Sequence, residues 1–448
     1  MAAEPSLARI AAACEAVRPA TPHDAVGGVQ PMIVAAPAST EEASALLRAA
    51  SDLGLGVVPR GSGTRLHWGY QPERCDLVID TTLMDRVVEH EAGDLVATIQ
   101  AGLSLERLAD VLGAAGQRLA LDPPVLRPSA PSWSASSQPA LTRGTVGGVL
   151  GTGAAGPLRL RYGTGRDLLI GITVVRADGT VARSGGKVVK NVAGYDLGKL
   201  FAGSRGTLGL ITQATFRLHP VPARNAYLTA TCSAVSGACG LIDAAMRSPA
   251  SPVAAEIEWP SQSDPIQVCV ALEGEPAGVA ERSAKLESLL GRETPVSEDD
   301  EPPPWWGAGP AGRQVGTVLQ IAFWPGELGV VLAETRAAAA AAGLDPAIGG
   351  SAAAGVLHAA VPAEAFPGAV ARFVSVLRHA LGPSGRSADG SGGAEPARAS
   401  VVVQHAPPEV STVVDMFGPV PWLTPMRAVK KQFDPARTMA PGRFAGGI

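Results

Sequence analysis

Cysteine is scarce in this 448-residue sequence, which has five, Cys14, Cys75, Cys232, Cys239 and Cys269, with no Cys-x-x-Cys spacing. An iron–sulfur cluster or a structural zinc site needs clustered thiolates, so neither is expected here, and any electron taken up must leave by another route. An odd, scattered set fits buried, inert thiols in a reducing compartment rather than a disulfide framework. Charge is also short, at 17% of residues, and Lys plus Arg (37) against Asp plus Glu (41) leaves net −4. That balance provides no basic footprint for a phosphate backbone, so nucleic acid is not an expected partner. No run approaches the roughly 20 apolar residues of a membrane span. The N-terminus, with Glu4 and Arg9, lacks the basic leader and apolar stretch of a secretory signal. The expectation is a soluble, cytoplasmic protein without a transmembrane segment, associated with a membrane only through partners. What is present is a 46% hydrophobic chain, too apolar to be disordered throughout and long enough for two or three domains at roughly 150 residues each.

Glycine (53) and proline (38) are abundant without a fixed period, which marks a chain rich in turns and in sites built from main chain. Ser39 and Glu42 form a capping box ahead of a helix that runs to about Leu53 and is stopped by Gly54. Strands are expected at 55–59, 77–80 and 95–99, and Leu105, Leu108 and Leu112 set one face of a helix over 105–115. The apolar run 168–176 and residues 180–183 flank Asp178-Gly179, a hairpin signal. A further apolar strand at 207–218 ends at Pro220 and Pro222. Beyond it, strand-like runs alternate with Ala-rich helices. These signals divide the chain into an N-terminal helical segment (1–27), a mixed domain (28–222), a second α+β domain (223–414) and a C-terminal segment (415–448). The Pro/Ser/Ala-rich stretch 123–143 reads as a mobile loop, and 298–304 and 382–399 read as disordered.

Three glycine-rich segments carry the candidate chemistry. In the first, a strand runs into Pro59-Arg60-Gly61-Ser62-Gly63-Thr64. Amides freed by Gly61 and Gly63 can converge on a diphosphate, with the Ser62 and Thr64 hydroxyls as further donors, though a simple turn would have the same sequence. In the second, Thr145, Gly147, Gly148, Gly151 and Thr152 let a backbone pass against a flat or charged ligand. Residues 151–156, GTGAAG, match G-x-G-x-x-G literally, but Pro157 and an LRLRYG segment follow instead of a helix, so the nucleotide-helix reading is rejected. The third, 185–212, offers Lys187, Lys190 and Asn191, then Gly206, Thr207, Gly209 and Ile211 where main chain alone lines the entry to a strand. A surface basic loop would explain the two lysines. It would not explain three glycine-rich segments in one domain.

Together these segments resemble the FAD-binding domain of the vanillyl-alcohol oxidase and p-cresol methylhydroxylase (PCMH) type, and most closely the FAD-binding subunit of bacterial glycolate oxidase. PRGSGT looks like that family's pyrophosphate loop, and GTVGGVLGTGAAGPLRLRYGTGRDLLIG like its second flavin segment. KVVKNVAGYDLGKLFAGSRGTLGLIT is similar to its most distinctive stretch, and the FDP and PGR turns after Asp415 are similar to its C-terminal signature. The resemblance covers most of 30–222 and 415–448. It implies an α+β fold in which a two-subdomain PCMH-type FAD-binding domain is followed by an α+β cap domain. By position it assigns Pro59 to Thr64 to the pyrophosphate, Thr145, Gly147, Gly148, Gly151 and Thr152 to the flavin, and Gly206, Thr207, Gly209 and Ile211 to the adenine end. Thr64 stands where the superfamily often has the His that attaches flavin covalently, so the implied FAD is non-covalent. Two departures from the pattern are the long 123–143 loop and Ala440, which stands where the family commonly has Asn.

The resemblance further implies a subunit of a complex that oxidises glycolate or D-lactate, small 2-hydroxy acids, to the 2-oxo acid. Its implied partners are a homologous flavin-containing catalytic subunit and an iron–sulfur subunit. Two alternatives stay open: an autonomous FAD-dependent 2-hydroxy-acid dehydrogenase, with Arg427, Lys430 or Arg443 taking the substrate carboxylate, and a flavin-free structural subunit. His67 reads as a capping or surface residue, and His358, His379 and His405 are isolated in sequence, so no catalytic base and no metal site is assigned.

Overall fold

In a computed structural model of the chain the described residues are 3–126, 142–186, 196–291, 295–308, 315–383 and 397–448. They form two compact units, one made of residues 1–155, 163–221 and 419–448 and the other of 156–162 and 222–418.

The first unit holds two main sheets. A four-stranded sheet is ordered Val17–Pro19, Ile33–Ala35, Leu77–Asp80, Val57–Arg60, and its last three strands run parallel. Parallel strands need crossovers, and the one between Ile33–Ala35 and Val57–Arg60 is the helix Thr40–Asp52, capped by the Ser39 side chain on the Glu42 amide. Its buried face, with Leu46 and Leu47, packs on Val57, Leu77 and Ile79 and on Val175 and Leu210 of the other sheet. That second sheet is five-stranded and antiparallel, ordered Val87–Glu91, Val96–Gln100, Leu210–Arg217, Leu169–Val175, Val181–Gly185. Its far side buries Ile99 and Phe216 against Leu108 and Leu112 of the helix Leu105–Gly113 and against Val149 and Leu150. Each such fully buried Leu, Ile or Phe contributes roughly 1.5–3 kcal/mol.

The second unit is an eight-stranded antiparallel sheet ordered Val296–Asp299, Arg224–Cys232, Ile266–Gly274, Ala254–Trp259, Ala347–Ser351, Val356–Pro362, Val315–Phe323, Ala399–His405. Helices Val235–Arg247, Pro276–Leu290, Leu328–Ala342 and Pro367–Leu381 bury Leu241, Leu286, Leu332 and Phe373. No helix among the described residues is long and apolar enough to cross a membrane.

Several sequence expectations are corrected. The acidic start of 298–304 is ordered: Val296–Asp299 pairs as an edge strand with Arg224–Cys232, and Arg224 reaches Glu298 at 3.0 Å and Asp300 at 3.3 Å. An edge strand takes its hydrogen bonds from one neighbour and leaves its side chains in water, so acidic composition does not prevent it. Within 382–399, residues 384–396 lie outside the described residues, but Arg398 donates its amide to Leu381 and Ala399 opens a strand. Residues 145–153 contain the helix Val146–Thr152, and LRLRYG, expected not to be helical, includes one helical turn, Arg159–Tyr162. Gly151 therefore lies in the last turn of a helix rather than before one. Of the loop 123–143, residues 127–141 lie outside the described residues, and so do Lys187, Lys190 and Asn191.

Candidate functional site

The three glycine-rich segments meet at one cleft in the first unit. Pro59, Arg60, Gly61, Ser62, Gly63 and Thr64 line it, as do Thr145, Gly147, Gly148, Gly151, Thr152, Gly206, Gly209 and Ile211. Thr207 does not. It is 1% exposed, its hydroxyl donates to the Ser204 carbonyl, and its own carbonyl accepts from Lys430 Nζ at 2.7 Å.

Local chemistry explains how each wall forms. After Val57–Arg60 the chain turns at Gly63, whose φ of +75° is a left-handed conformation that glycine adopts without strain. Gly61 lies against the second segment, because a Cβ on it would fall 2.0 Å from Thr145 Oγ1. That same hydroxyl caps the helix Val146–Thr152 by accepting the Gly148 amide. Gly147 closes on the Gly102 turn: its amide donates to the Ala101 carbonyl at 2.7 Å, and a Cβ would lie 2.7 Å from that of Ala101. Nothing protein-made lies within 4 Å of where a Gly151 Cβ would be, so at that point the helix backbone itself faces open space. The third wall is fastened to the second by the Arg205 amide, which donates to the Gly151 carbonyl at 2.7 Å.

Electrostatics divide the arginines of the cleft into two kinds. Arg60 lies between two carboxylates, Asp24 and Asp80, each at 2.9 Å, with its side chain 1% exposed. Burial acts to raise Asp24, but hydrogen bonds from Arg18, Thr21 and Arg60 outweigh it and hold the carboxyl well below the usual range. Arg60 therefore contributes to the fold through its side chain and to the cleft through its backbone. Arg65 and Arg443 are different. Arg65 donates to the carbonyls of Arg143 and Pro124 and to Thr64 Oγ1, and stacks over Trp68 at 5.6 Å. Arg443 donates to the carbonyls of Leu66, Trp68 and Tyr70. Neutral oxygens take the hydrogen bonds of these guanidinium groups without cancelling their charge, and leave the buried Arg65 Nε without a partner among the described residues. Burial lowers Arg65, Arg205 and Arg443 each to about 10, so all three stay cationic at neutral pH. Little-screened positive charge beside glycine-rich main chain suits a diphosphate. Among the described residues the ionisable lining of the cleft is arginine alone.

Arg65, Leu66, Trp68, Thr81, Ala101, Arg205 and Leu210 also line the cleft and were not singled out from sequence. Arg65 directly follows PRGSGT and Arg205 precedes Gly206, so their adjacency to the glycine segments was the available signal. Of the three cations considered for a substrate carboxylate, only Arg443 lines the cleft. Lys430 is 5% exposed and committed to Asp434 and two carbonyls, and Arg427 donates to the Gly446 carbonyl. Ala440, where a side-chain hydrogen bond was in question, works through main chain: it is fully buried at φ +42° and its amide donates to the Val57 carbonyl. In the second unit, burial, aided by Arg159, pushes His358 down to about 4, which leaves it neutral at pH 7. Among the described residues no group of His, Cys, Asp or Glu could hold a metal ion.

Residues 31–130 and 133–185 match the FAD binding domain family. Over 192 residues the chain is 37% identical to glycolate oxidase subunit GlcD of Bacillus subtilis (strain 168), covering 43% of this chain and 38% of that one. Over 188 residues it is 37% identical to a D-lactate dehydrogenase of Archaeoglobus fulgidus, covering 42% of this chain and 39% of that one. The matched stretch thus spans about two fifths of these relatives' length. In three dimensions the chain is similar to p-cresol methylhydroxylase with substrate bound, at a TM-score of 0.72 and 14% identity, covering 99% of this chain and 96% of that one. Residues 31–130 and 133–185 are thus similar to an FAD binding domain, the chain shares the α+β fold of p-cresol methylhydroxylase, and FAD is its cofactor.

Proposed function

We propose that the chain is the FAD-binding subunit of a glycolate oxidase type of complex, which oxidises glycolate or D-lactate to the 2-oxo acid and passes the electrons to an iron–sulfur partner. The observation that carries this reading is the cleft, where glycine-rich main chain and two buried guanidinium groups with neutral partners suit a dianionic diphosphate. When bound, FAD takes up the two electrons that the hydroxyl-bearing carbon gives up. The pyrophosphate is assigned to the main chain of Pro59 to Gly63 with Thr64, beside Arg65. The flavin is assigned to Thr145, Gly147, Gly148, Gly151 and Thr152, and the adenine end to Gly206, Gly209 and Ile211. Thr207 acts behind that wall.

Removing a hydroxyl proton needs a base, and the arginine-only lining among the described residues supplies none. A homologous flavin subunit that carries the substrate site supplies what this cleft lacks. The five scattered cysteines likewise favour an electron acceptor in another chain. The runner-up, an enzyme acting alone, is favoured by Arg443, the one cleft cation of the C-terminal segment, as a carboxylate ligand.

The test is the visible spectrum of the purified chain, before and after anaerobic glycolate and D-lactate. The subunit reading expects a flavin band that stays oxidised until the homologous flavin subunit is added. Bleaching of the isolated chain would establish the autonomous enzyme, and a folded chain that takes up no FAD would favour the flavin-free subunit.

A further inference from the structure

The C-terminal segment holds a buried ion pair that does not line the cleft. Lys430, on the helix Leu423–Phe433, places its ammonium 2.7 Å from Asp434 Oδ2, 2.7 Å from the Thr207 carbonyl and 2.8 Å from the Met439 carbonyl. Those three acceptors use all three of its donors. Asp434, fully buried, accepts in turn from the amides of Thr438 and Met439. The chain just after this knot adds to the edge of the strand Val57–Arg60, since the Val57 amide donates to Thr438 and the Ala440 amide to Val57, both at 2.7 Å. Further on, Arg443 fastens the carbonyls of Leu66 and Trp68. One ammonium therefore ties the loop that carries Gly206 and Gly209 to the segment that fixes the strand and turn of PRGSGT. Both line the FAD cleft and adjoin at Pro59, 3.0 Å from where a Gly206 Cβ would be, and the Phe444 ring of the same segment lies under Arg205 of that loop at 5.7 Å.

We propose that Lys430 is a positioning residue for FAD: with Asp434 it sets the separation of the two walls, so the C-terminal segment governs how tightly the cofactor is held. The inference rests on FAD being the cofactor of this cleft and not on the substrate or the partners. A buried pair contributes little net stability over an apolar pair of similar size, whereas its geometry is specific, so its effect belongs in ligand affinity more than in folding.

The test uses apoprotein titrated with FAD and followed by quenching of flavin fluorescence. The double variant K430M/D434N removes both charges together and so leaves no buried ion unpaired. It is expected to keep the parent's far-UV circular dichroism and to raise the FAD dissociation constant at least about tenfold, about 1.4 kcal/mol. R437A, which removes the exposed pair with Glu73 on the same segment, is expected to stay within about twofold. A folded double variant that binds FAD like the parent would overturn the proposal. Hydrogen exchange on the unaltered chain decides the matter even where the variant does not fold. Because coupling is reciprocal, saturating FAD should slow exchange over residues 430–440 more than in the helix Thr40–Asp52. Protection confined to the cleft-lining segments would sink the idea. A parent chain that takes up no FAD would overturn the cofactor assignment, and this inference with it.

Discussion

Gly61 and Thr145 are in contact across the cleft: a single methyl group on Gly61 would meet the Thr145 hydroxyl at 2.0 Å and the Thr145 Cβ at 3.2 Å. Two segments far apart in sequence are thereby held close enough to share one ligand. The hydroxyl also caps the helix Val146–Thr152, so an error at Gly61 is passed to the second wall. G61A should weaken FAD binding by about tenfold or more. Adding T145A, which deletes the atom in the way, should recover part of that loss, and the double-mutant cycle on FAD affinity measures the coupling. Additive losses would mean that the contact is incidental.

The network of Arg18, Asp24, Arg60 and Asp80 makes stability depend on pH in a stated direction. Asp24 is held below its unfolded value of about 3.9. Its contribution is therefore complete above that value and is lost as pH falls through the folded value. D24N leaves Arg60 with one carboxylate and should destabilise the chain by about 3–5 kcal/mol at pH 7, the usual cost of breaking a buried pair. Urea unfolding at a series of pH values should show the parent losing stability below about pH 4 more steeply than D24N does. Parallel curves would remove Asp24 as the cause.

Arg65 combines an uncancelled charge with a structural task, because its two carbonyl partners, Pro124 and Arg143, lie on either side of residues 127–141. If the charge serves the diphosphate, R65M should weaken FAD about tenfold to a hundredfold, the size of a hydrogen bond to a charged group. Riboflavin, which has no phosphate, should lose far less. R65K, with the charge but not the fork of donors, should recover most of the FAD affinity. Equal losses for FAD and riboflavin would assign Arg65 to the loop alone.

Burial pushes Cys75 and Cys269 up to about 12 and Cys14 to about 11. The thiolate is the reactive form, so at pH 8 none of the three should be labelled by an aromatic disulfide reagent in the folded protein. All five cysteines should react in denaturant. Mass spectrometry of the labelled peptides reads this directly, and rapid native labelling at Cys75 would contradict the buried thiol.

The parts of this protein legible in sequence are those whose determinants are local. Ser39 and Glu42 mark the start of a helix because the cap bonds backbone groups only three residues away. Asp178 and Gly179 mark a hairpin because the Asp178 carboxylate takes the Thr180 amide and Gly179 adopts φ +80°. The glycine segments could be recognised as ligand walls because close backbone approach excludes a side chain whatever the partner. The edge strand Val296–Asp299 and the helix Val146–Thr152 were not legible, since the first borrows its hydrogen bonds from Arg224–Cys232 and the second overcomes three glycines through contacts with Ala101 and Gly61. Composition argues against both, and only a neighbour distant in sequence reverses it.

The same distinction separates the cations. Sequence alone determined that this chain has arginines and a lysine beside glycine-rich turns, and by pattern that the turns suit FAD. Which of those charges is free to act was decided only when the chain folded. Arg60, inside PRGSGT, is neutralised by Asp24 and Asp80 from elsewhere in the chain, while Arg443, near the C-terminus, reaches the cleft with its charge uncancelled. Lys430 is removed from the cleft altogether and set to holding its walls. Coulombic pairing depends on distance in space, and spacing along the chain carries no record of which carboxylate will arrive.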